Sequence, residues 1–244
     1  MKDAQYNEHG QPIGAALPGW QPAKRLDRTA LQGSRVRLEP LSAASHATTL
    51  YAAFLLSGEG PHDTPKARWS YSGGMPFTTA EQCAAWLAER ARSEDTLFYA
   101  VVEAGSNRAL GLASYLNVVP EHGSIEVGHV HFTPALRRTP EATEAMLLMM
   151  RHAFSLGYRR YEWKCDALNA ASRRAAERLG FRFEGIFRQH RVVNWRNRDT
   201  AWFSLLDSEW PGVEARLQHW LAPENFDDQG RQLRSLSALM QHDR

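Results

Sequence analysis

The chain has 244 residues, 43% apolar and 23% charged, with 29 Lys+Arg against 27 Asp+Glu. That length suits one sizeable globular domain with appendages and is short for two full domains. A net charge of +2 gives no global field favouring a nucleic-acid or membrane partner, and no apolar run approaches the ~18 residues of a membrane span. Met1–Gly14 is polar and lacks a signal-peptide core. Cys83 and Cys165 have no metal-like spacing and read as two buried thiols in a reducing compartment, so a soluble cytoplasmic protein is expected, with no metal site. The basic residues are nearly all Arg, since lysine occurs only at Lys2, Lys24, Lys66 and Lys164.

Residues 1–33, with Pro12, Pro18, Gly19, Pro22 and Gly33, read as an extended arm in which Trp20 is the large aromatic group. Structure is expected from Ser34, where Val36 and Leu38 alternate with charged neighbours as in a half-buried strand. Ser45–Leu56 has helical apolar spacing. Residues 58–77, rich in Pro and Gly, read as a loop long enough to suggest binding. Thr79 reads as the N-cap of a helix reaching about Arg92, with Cys83, Trp86 and Leu87 inward.

Three strands are predicted next, at Leu97–Val102, Ala109–Val118 and Ser124–Phe132. The short turns Gly105-Ser106-Asn107 and Glu121-His122-Gly123 join them as an antiparallel meander. A helix then opens at Thr139-Pro140 and stops at Gly157, burying Ala142, Ala145, Met146, Met149, Ala153 and Phe154. A strand at Tyr161–Cys165 follows, then a helix over Asn169–Leu179 closed by Gly180, and two strands at Phe181–Phe187 and Asp199–Leu206. Trp210-Pro211 ends the domain, and a helix near Val213–Leu221 belongs to a C-terminal extension over 211–244. This order defines an α+β layer fold on a mixed sheet.

The junction between Phe132 and Met146 carries the most chemistry. A strand running into a helix start leaves free N–H groups at the positive end of the helix dipole, which suits an anion. Arg137 and Arg138 add side chains able to grip phosphate. Thr-Pro is also simply a good helix start.

The order of elements and several motifs resemble the GNAT acetyltransferases, in the branch that includes ribosomal-protein N-acetyltransferases. The matching residues are Ile125-Glu126-Val127-Gly128-His129-Val130, Ala142-Thr143-Glu144-Ala145, Asn169-Ala170-Ala171-Ser172, Glu177-Arg178-Leu179-Gly180-Phe181, Arg198-Asp199 and Ser204-Leu205-Leu206 with Glu209-Trp210. The resemblance covers residues 34–210. It implies a GNAT fold, a central mixed and mostly antiparallel sheet with a β-splay and helices on both faces. It also implies acetyl-CoA as cosubstrate. The pyrophosphate would lie on the N–H groups around Arg137, Arg138, Thr139, Ala142 and Thr143. The pantetheine would run along the strand edge at Val130, Phe132 and Thr133, with Asn169 facing it. The sequence departs from the family loop where two glycines become Arg138 and Pro140. Glycine lets backbone approach phosphate closely, and Pro140 removes an N–H donor, yet proline pre-sets the helix and arginine supplies a side-chain fork.

Acetyl transfer to an amine requires loss of a proton, because a lysine-like amine with pKa about 10.4 is almost fully protonated at pH 7. Candidate bases are Glu126, His129, His131 and His190. On a regular strand Glu126 faces away from His129 and His131. The resemblance favours Glu126, a carboxylate equally suited to an ion pair with an Arg. It also matches Ser172 to the serine that returns a proton to the CoA thiolate. Neither cysteine falls in the constellation, so direct transfer in a ternary complex is expected. Some relatives carry a Glu where this chain has Gln189-His190-Arg191. Arginines 173, 174, 178, 182, 188, 191, 196 and 198 are expected to crowd the acceptor end, beside Trp195. The 58–77 loop, the arm with Trp20 and the last hairpin are expected to set acceptor choice.

The expected acceptor is a small-molecule or peptide primary amine, handled by a monomer or homodimer. No membrane partner is expected, and nucleic acid only in a ribosome-proximal setting. The competing reading is a non-catalytic remnant of a CoA site that holds RNA or an acidic protein on its basic hairpin.

Overall fold

The computed structural model describes residues 5–60 and 63–240. Two short strands, β1 (Gln5–Tyr6) and β2 (Pro12–Ile13), pair as a small exposed hairpin in the N-terminal arm. The main sheet holds eight strands in the order β3-β4-β5-β6-β7-β8-β10-β9. They are β3 (Leu31–Gln32), β4 (Val36–Pro40), β5 (Leu97–Glu103), β6 (Ala109–Val119), β7 (Ser124–Phe132), β8 (Arg160–Asp166), β9 (Arg182–Val193) and β10 (Arg196–Leu206). Neighbours are antiparallel except β7 and β8, which run parallel because a helix joins them.

The helices are α1 (Ala43–Leu55), α2 (Ala80–Ala91), α3 (Pro140–Ser155), α4 (Ala170–Arg178), α5 (Trp210–Leu221) and α6 (Leu236–Met240). Side-chain caps fix three predicted starts: Thr79 Oγ1 accepts from Gln82 N, Thr139 Oγ1 from Ala142 N, and Asn169 Oδ1 from Ser172 N. Helix α1 begins at Ala43 rather than Ser45, because Ser42 is its cap and accepts from Ser45 N. Among the described residues no helix is long and apolar enough to cross a membrane.

The two sheet faces bury separate cores. One packs Tyr115, Ile125, Tyr161, Trp163 and Phe203 against α3, α4 and α5. The other packs Phe98, Ala100 and Leu112 against α1, α2, Trp69 and Phe77. Trp69 belongs to a 3₁₀ turn, Ala67–Ser72, inside the long loop after α1.

One sequence-based expectation changes in the last hairpin. The hairpin is longer, because β9 runs on to Val193 and β10 starts at Arg196. Both faces of that extension are largely exposed, so no apolar alternation marks it. Its turn residues, Asn194 and Trp195, both have positive φ, 48° and 59°, as a two-residue hairpin turn demands. The Trp20 indole N–H donates to Glu121 O (3.3 Å) and its ring lies under Arg159, at the end of β7 where the parallel ladder starts. The helix α5, with Trp220 and Leu221 buried, packs on the α3 side of the sheet.

Candidate active site

The parallel ladder between β7 and β8 runs only from Ser124↔Arg160 to Val127↔Trp163. Beyond Val127 the strands diverge, and the polar backbone edge of β7 from Gly128 onward has no partner on β8. This splay lies next to the start of α3.

Strand β7 is irregular at the same place. Gly128 pairs with Ser114 and His131 with Leu112, so an extra residue is inserted, and His129 takes φ +48°. The insertion overturns the expectation that Glu126 and His131 face opposite ways. Glu126 opposite Leu116, Gly128 opposite Ser114 and His131 opposite Leu112 share the face covered by α1 and α2.

Glu126 is buried, and its Oε2 accepts from Asn117 Nδ2 (2.6 Å) and Lys164 Nζ (2.8 Å). The expected alternative partner, an Arg, is replaced by this lysine. Oε1 carries no hydrogen bond from a described residue and points to the splay, 3.8 Å from where a Cβ on Gly128 would lie. Lys164 also pairs with Glu162 (2.8 Å) and sits 3.8 Å over the Trp202 ring.

The histidines divide. His131 stacks on Trp69 at 4.0 Å between centroids, and burial pushes it down to about 3, so it is neutral at physiological pH. His129 is lowered by burial and then by the nearby Arg90 and Arg191 guanidinium groups. His190 Nδ1 is 2.9 Å from Thr200 Oγ1.

Ser172, in the first turn of α4, accepts from Trp163 Nε1 (3.0 Å), and its hydroxyl reaches Cys165. Burial raises the Cys165 thiol, outweighing the Ser172 hydrogen bond, so it is protonated at neutral pH and no nucleophile. Asn169 spends its side chain on the α4 cap.

Several residues expected to meet a cofactor have structural partners. Thr133 Oγ1 donates to Leu110 O (2.6 Å), and Thr143 Oγ1 accepts from Arg178 Nη1 (3.1 Å). Arg178 itself lies 4.8 Å from the Trp220 ring, in the interior rather than at the acceptor end. Val130, Phe132 and Ala142 are half-buried against the larger core. In the turn before α3, the Leu136 and Arg137 N–H groups bond the Thr133 carbonyl, while those of Arg138 and Thr139 meet no acceptor among the described residues. Arg138 has φ +64°, the conformation glycine supplies most easily. Arg137 is ion-paired to Asp63, which also pairs with Arg68 (3.2 Å).

The long loop crosses the acceptor side of the splay. Tyr71 Oη donates to Leu168 O (3.3 Å), and Asn194 Nδ2 of the last hairpin donates to Gly73 O (3.0 Å). Asn117, Lys164 and Trp202 were missed in the sequence. For Lys164 a signal existed, since Tyr161, Trp163 and Cys165 alternate with charged residues and point 162 and 164 to the other face.

A mostly antiparallel sheet, opened between two parallel strands beside a helix N-terminus, is the frame of an acyl-CoA-type transferase. Residues 35–182 match the acetyltransferase (GNAT) domain family, and the chain belongs to that family. A GCN5-related N-acetyltransferase from Brucella melitensis is 45% identical, aligns over 92% of this chain and 99% of its own, and superposes with a TM-score of 0.87. A probable GNAT-family acetyltransferase from Chromobacterium violaceum is 44% identical over 82% of this chain and 98% of its own, with a TM-score of 0.73. RimL, a ribosomal L7/L12 α-N-protein acetyltransferase, shares the fold at 17% identity, over 73% of this chain and 94% of its own, with a TM-score of 0.59. No curated protein matches the chain.

Proposed function

We propose that this protein is an acetyl-CoA-dependent N-acetyltransferase that acylates a primary amine by direct attack in a ternary complex. The observation that carries the reading is Glu126, a buried carboxylate on the splayed strand with one oxygen anchored and the other facing the opening.

Acetyl-CoA, when bound, supplies an acetyl thioester. The residues fit it: the Arg138 and Thr139 N–H groups and the Arg138 side chain suit a pyrophosphate. The unpaired edge of β7 at Val130–Phe132 suits an amide-bearing arm. The positive φ of Arg138 keeps the turn that a glycine would give, at some strain.

On the acceptor side Glu126 Oε1 takes the ammonium proton, directly or through water, while Lys164 and Asn117 hold Oε2 in place. The Ser172 hydroxyl, oriented by the Trp163 indole N–H, holds a proton for the leaving sulfur. His131, neutral against Trp69, contributes an uncharged wall.

The test is release of free thiol from acetyl-CoA against a panel of primary amines. Amine-dependent thiol release supports the reading. Binding of CoA with no transfer to any amine overturns it and favours a binding module.

A further inference from the structure

On β10, Arg198, Thr200 and Trp202 occupy alternate positions. Trp202 carries the Lys164 ammonium on its ring, so this face of β10 is the one that holds Glu126. Arg198 lies directly across the ladder from Arg191 of β9, and two extra β9 residues separate that pair from the next, Thr200↔Phe187. Like charges directly opposed on a sheet destabilise it unless something neutralises them.

No described residue does so. The carboxylates of this face have other partners: Glu126 and Glu162 pair with Lys164, Glu162 and Glu184 with Arg160, and Asp166 accepts from Leu168 N (2.8 Å); Asp199, on the opposite face, accepts from Gln189 N (2.7 Å) and Asn197 Nδ2 (2.9 Å). Arg191 and Arg198 make no ion pair with a described carboxylate. The Nε of Arg198 is buried without a hydrogen-bond partner among the described residues, and so is Trp202 Nε1 on the same face. Across the cleft Arg90 stacks 3.9 Å over Trp86, and with Arg191 it lowers His129 after burial has done so. Arg90 is paired with Glu89 (3.6 Å), so the unmatched positive charge among the described residues on this face is that of Arg191 and Arg198.

We propose that the acceptor is an amine that also carries a carboxylate, and that Arg198 and Arg191 bind that carboxylate while Glu126 faces the amine. A guanidinium fork matches a planar carboxylate in two parallel hydrogen bonds, which an ammonium or a neutral amide cannot supply. Arg198 on β10 and Glu126 on β7 are separated in the sheet by β8, which sets the carboxylate apart from the reacting amine and favours dipeptides or ω-amino acids over α-amino acids. The inference rests on the N-acetyltransferase reading.

Acetyl transfer is measured with matched acceptors: glycylglycine and 5-aminopentanoate, their amides, and the diamine cadaverine. The expected result is that each acid exceeds its amide in kcat/KM by about 10–100-fold, and that Arg198→Gln and Arg191→Gln each shrink this ratio by about the same factor. An acid-to-amide ratio at or below one, or a ratio unchanged in both variants, overturns the proposal. A second arm needs no catalysis: calorimetric binding of N-acetylglycylglycine in the presence of CoA. Binding by the wild type that both variants lose supports the carboxylate site even where no amine is acetylated. Absence of binding by the wild type overturns that site while leaving amine-dependent transfer intact.

Discussion

Arg137, in the turn before α3, is ion-paired to Asp63, in the long loop that borders the acceptor cleft. Burial alone would raise Asp63, but Arg137 and Arg68 outweigh it and hold the carboxyl below its usual value. An arginine of the proposed phosphate turn, next to Arg138, is thus tied to the long loop. If the proposed cofactor phosphate reaches Arg137, it competes with Asp63 for one guanidinium.

That competition gives opposite expectations for the two partners. Arg137→Ala weakens CoA binding by about 10-fold, the loss of one charge-assisted contact to phosphate. Asp63→Asn frees the guanidinium and tightens CoA binding by a few-fold. Calorimetric titration with CoA checks both, and equal affinity in Arg137→Ala and wild type removes Arg137 from the phosphate site.

Glu126 and Lys164 are coupled in a different way. Glu126→Gln keeps the shape but loses the proton acceptor, and kcat is expected to fall by roughly 10²-fold. Lys164→Met leaves Glu126 with Asn117 alone and a buried charge short of its partner, which lowers both stability and rate. Steady-state kinetics with thermal unfolding separate the two. An unchanged kcat in Glu126→Gln assigns proton removal to another group.

These residues also show what the sequence made legible. Caps at Thr79, Thr139 and Asn169 and stops at Gly157 and Gly180 are local signals, and they set the element order before any tertiary contact matters. The inserted residue at His129 left no such signal. A positive φ there is imposed by pairing with β6 and carried by a residue that does not advertise it, so strict alternation put His131 on the wrong face. Partners were harder still. Thr143 and Arg178 meet across two helices, 35 positions apart, whereas the run of arginines along the chain placed Arg178 with the acceptor end. The unmatched Arg191–Arg198 pair depends on register, which only the folded hairpin fixes.

The thiols are expected to be inert in the native protein. Burial pushes Cys83 up to about 11 and raises Cys165, so neither is a thiolate at pH 8. An aromatic disulfide reagent should titrate both only after denaturation. Rapid native-state reaction of Cys165 overturns this and reopens a covalent route beside Ser172.

Glu144 lies in the family-like motif after the anion turn, yet its work is structural. It is 7% exposed and accepts four hydrogen bonds, from Ser34 N and Oγ, Arg35 N and Val36 N, anchoring the turn into β4 on α3. Burial alone would raise it, but the Ser34 hydroxyl and then the backbone donors outweigh that and hold it below the usual glutamate value. A carboxyl whose folded pKa is depressed gives its full stabilisation above the unfolded pKa, about 4.3, and loses it as pH falls through the folded value. Glu144→Gln is therefore expected to cost about 2 kcal/mol at pH 7, where a carboxylate serving several donors is replaced by an amide. The gap between wild type and variant should then narrow as pH drops from 5 towards 3. Urea unfolding at pH 7, 5 and 4 measures the difference directly, cancelling the carboxylates the two proteins share. A gap that stays constant across that range shows that the charge of Glu144 does not hold the turn.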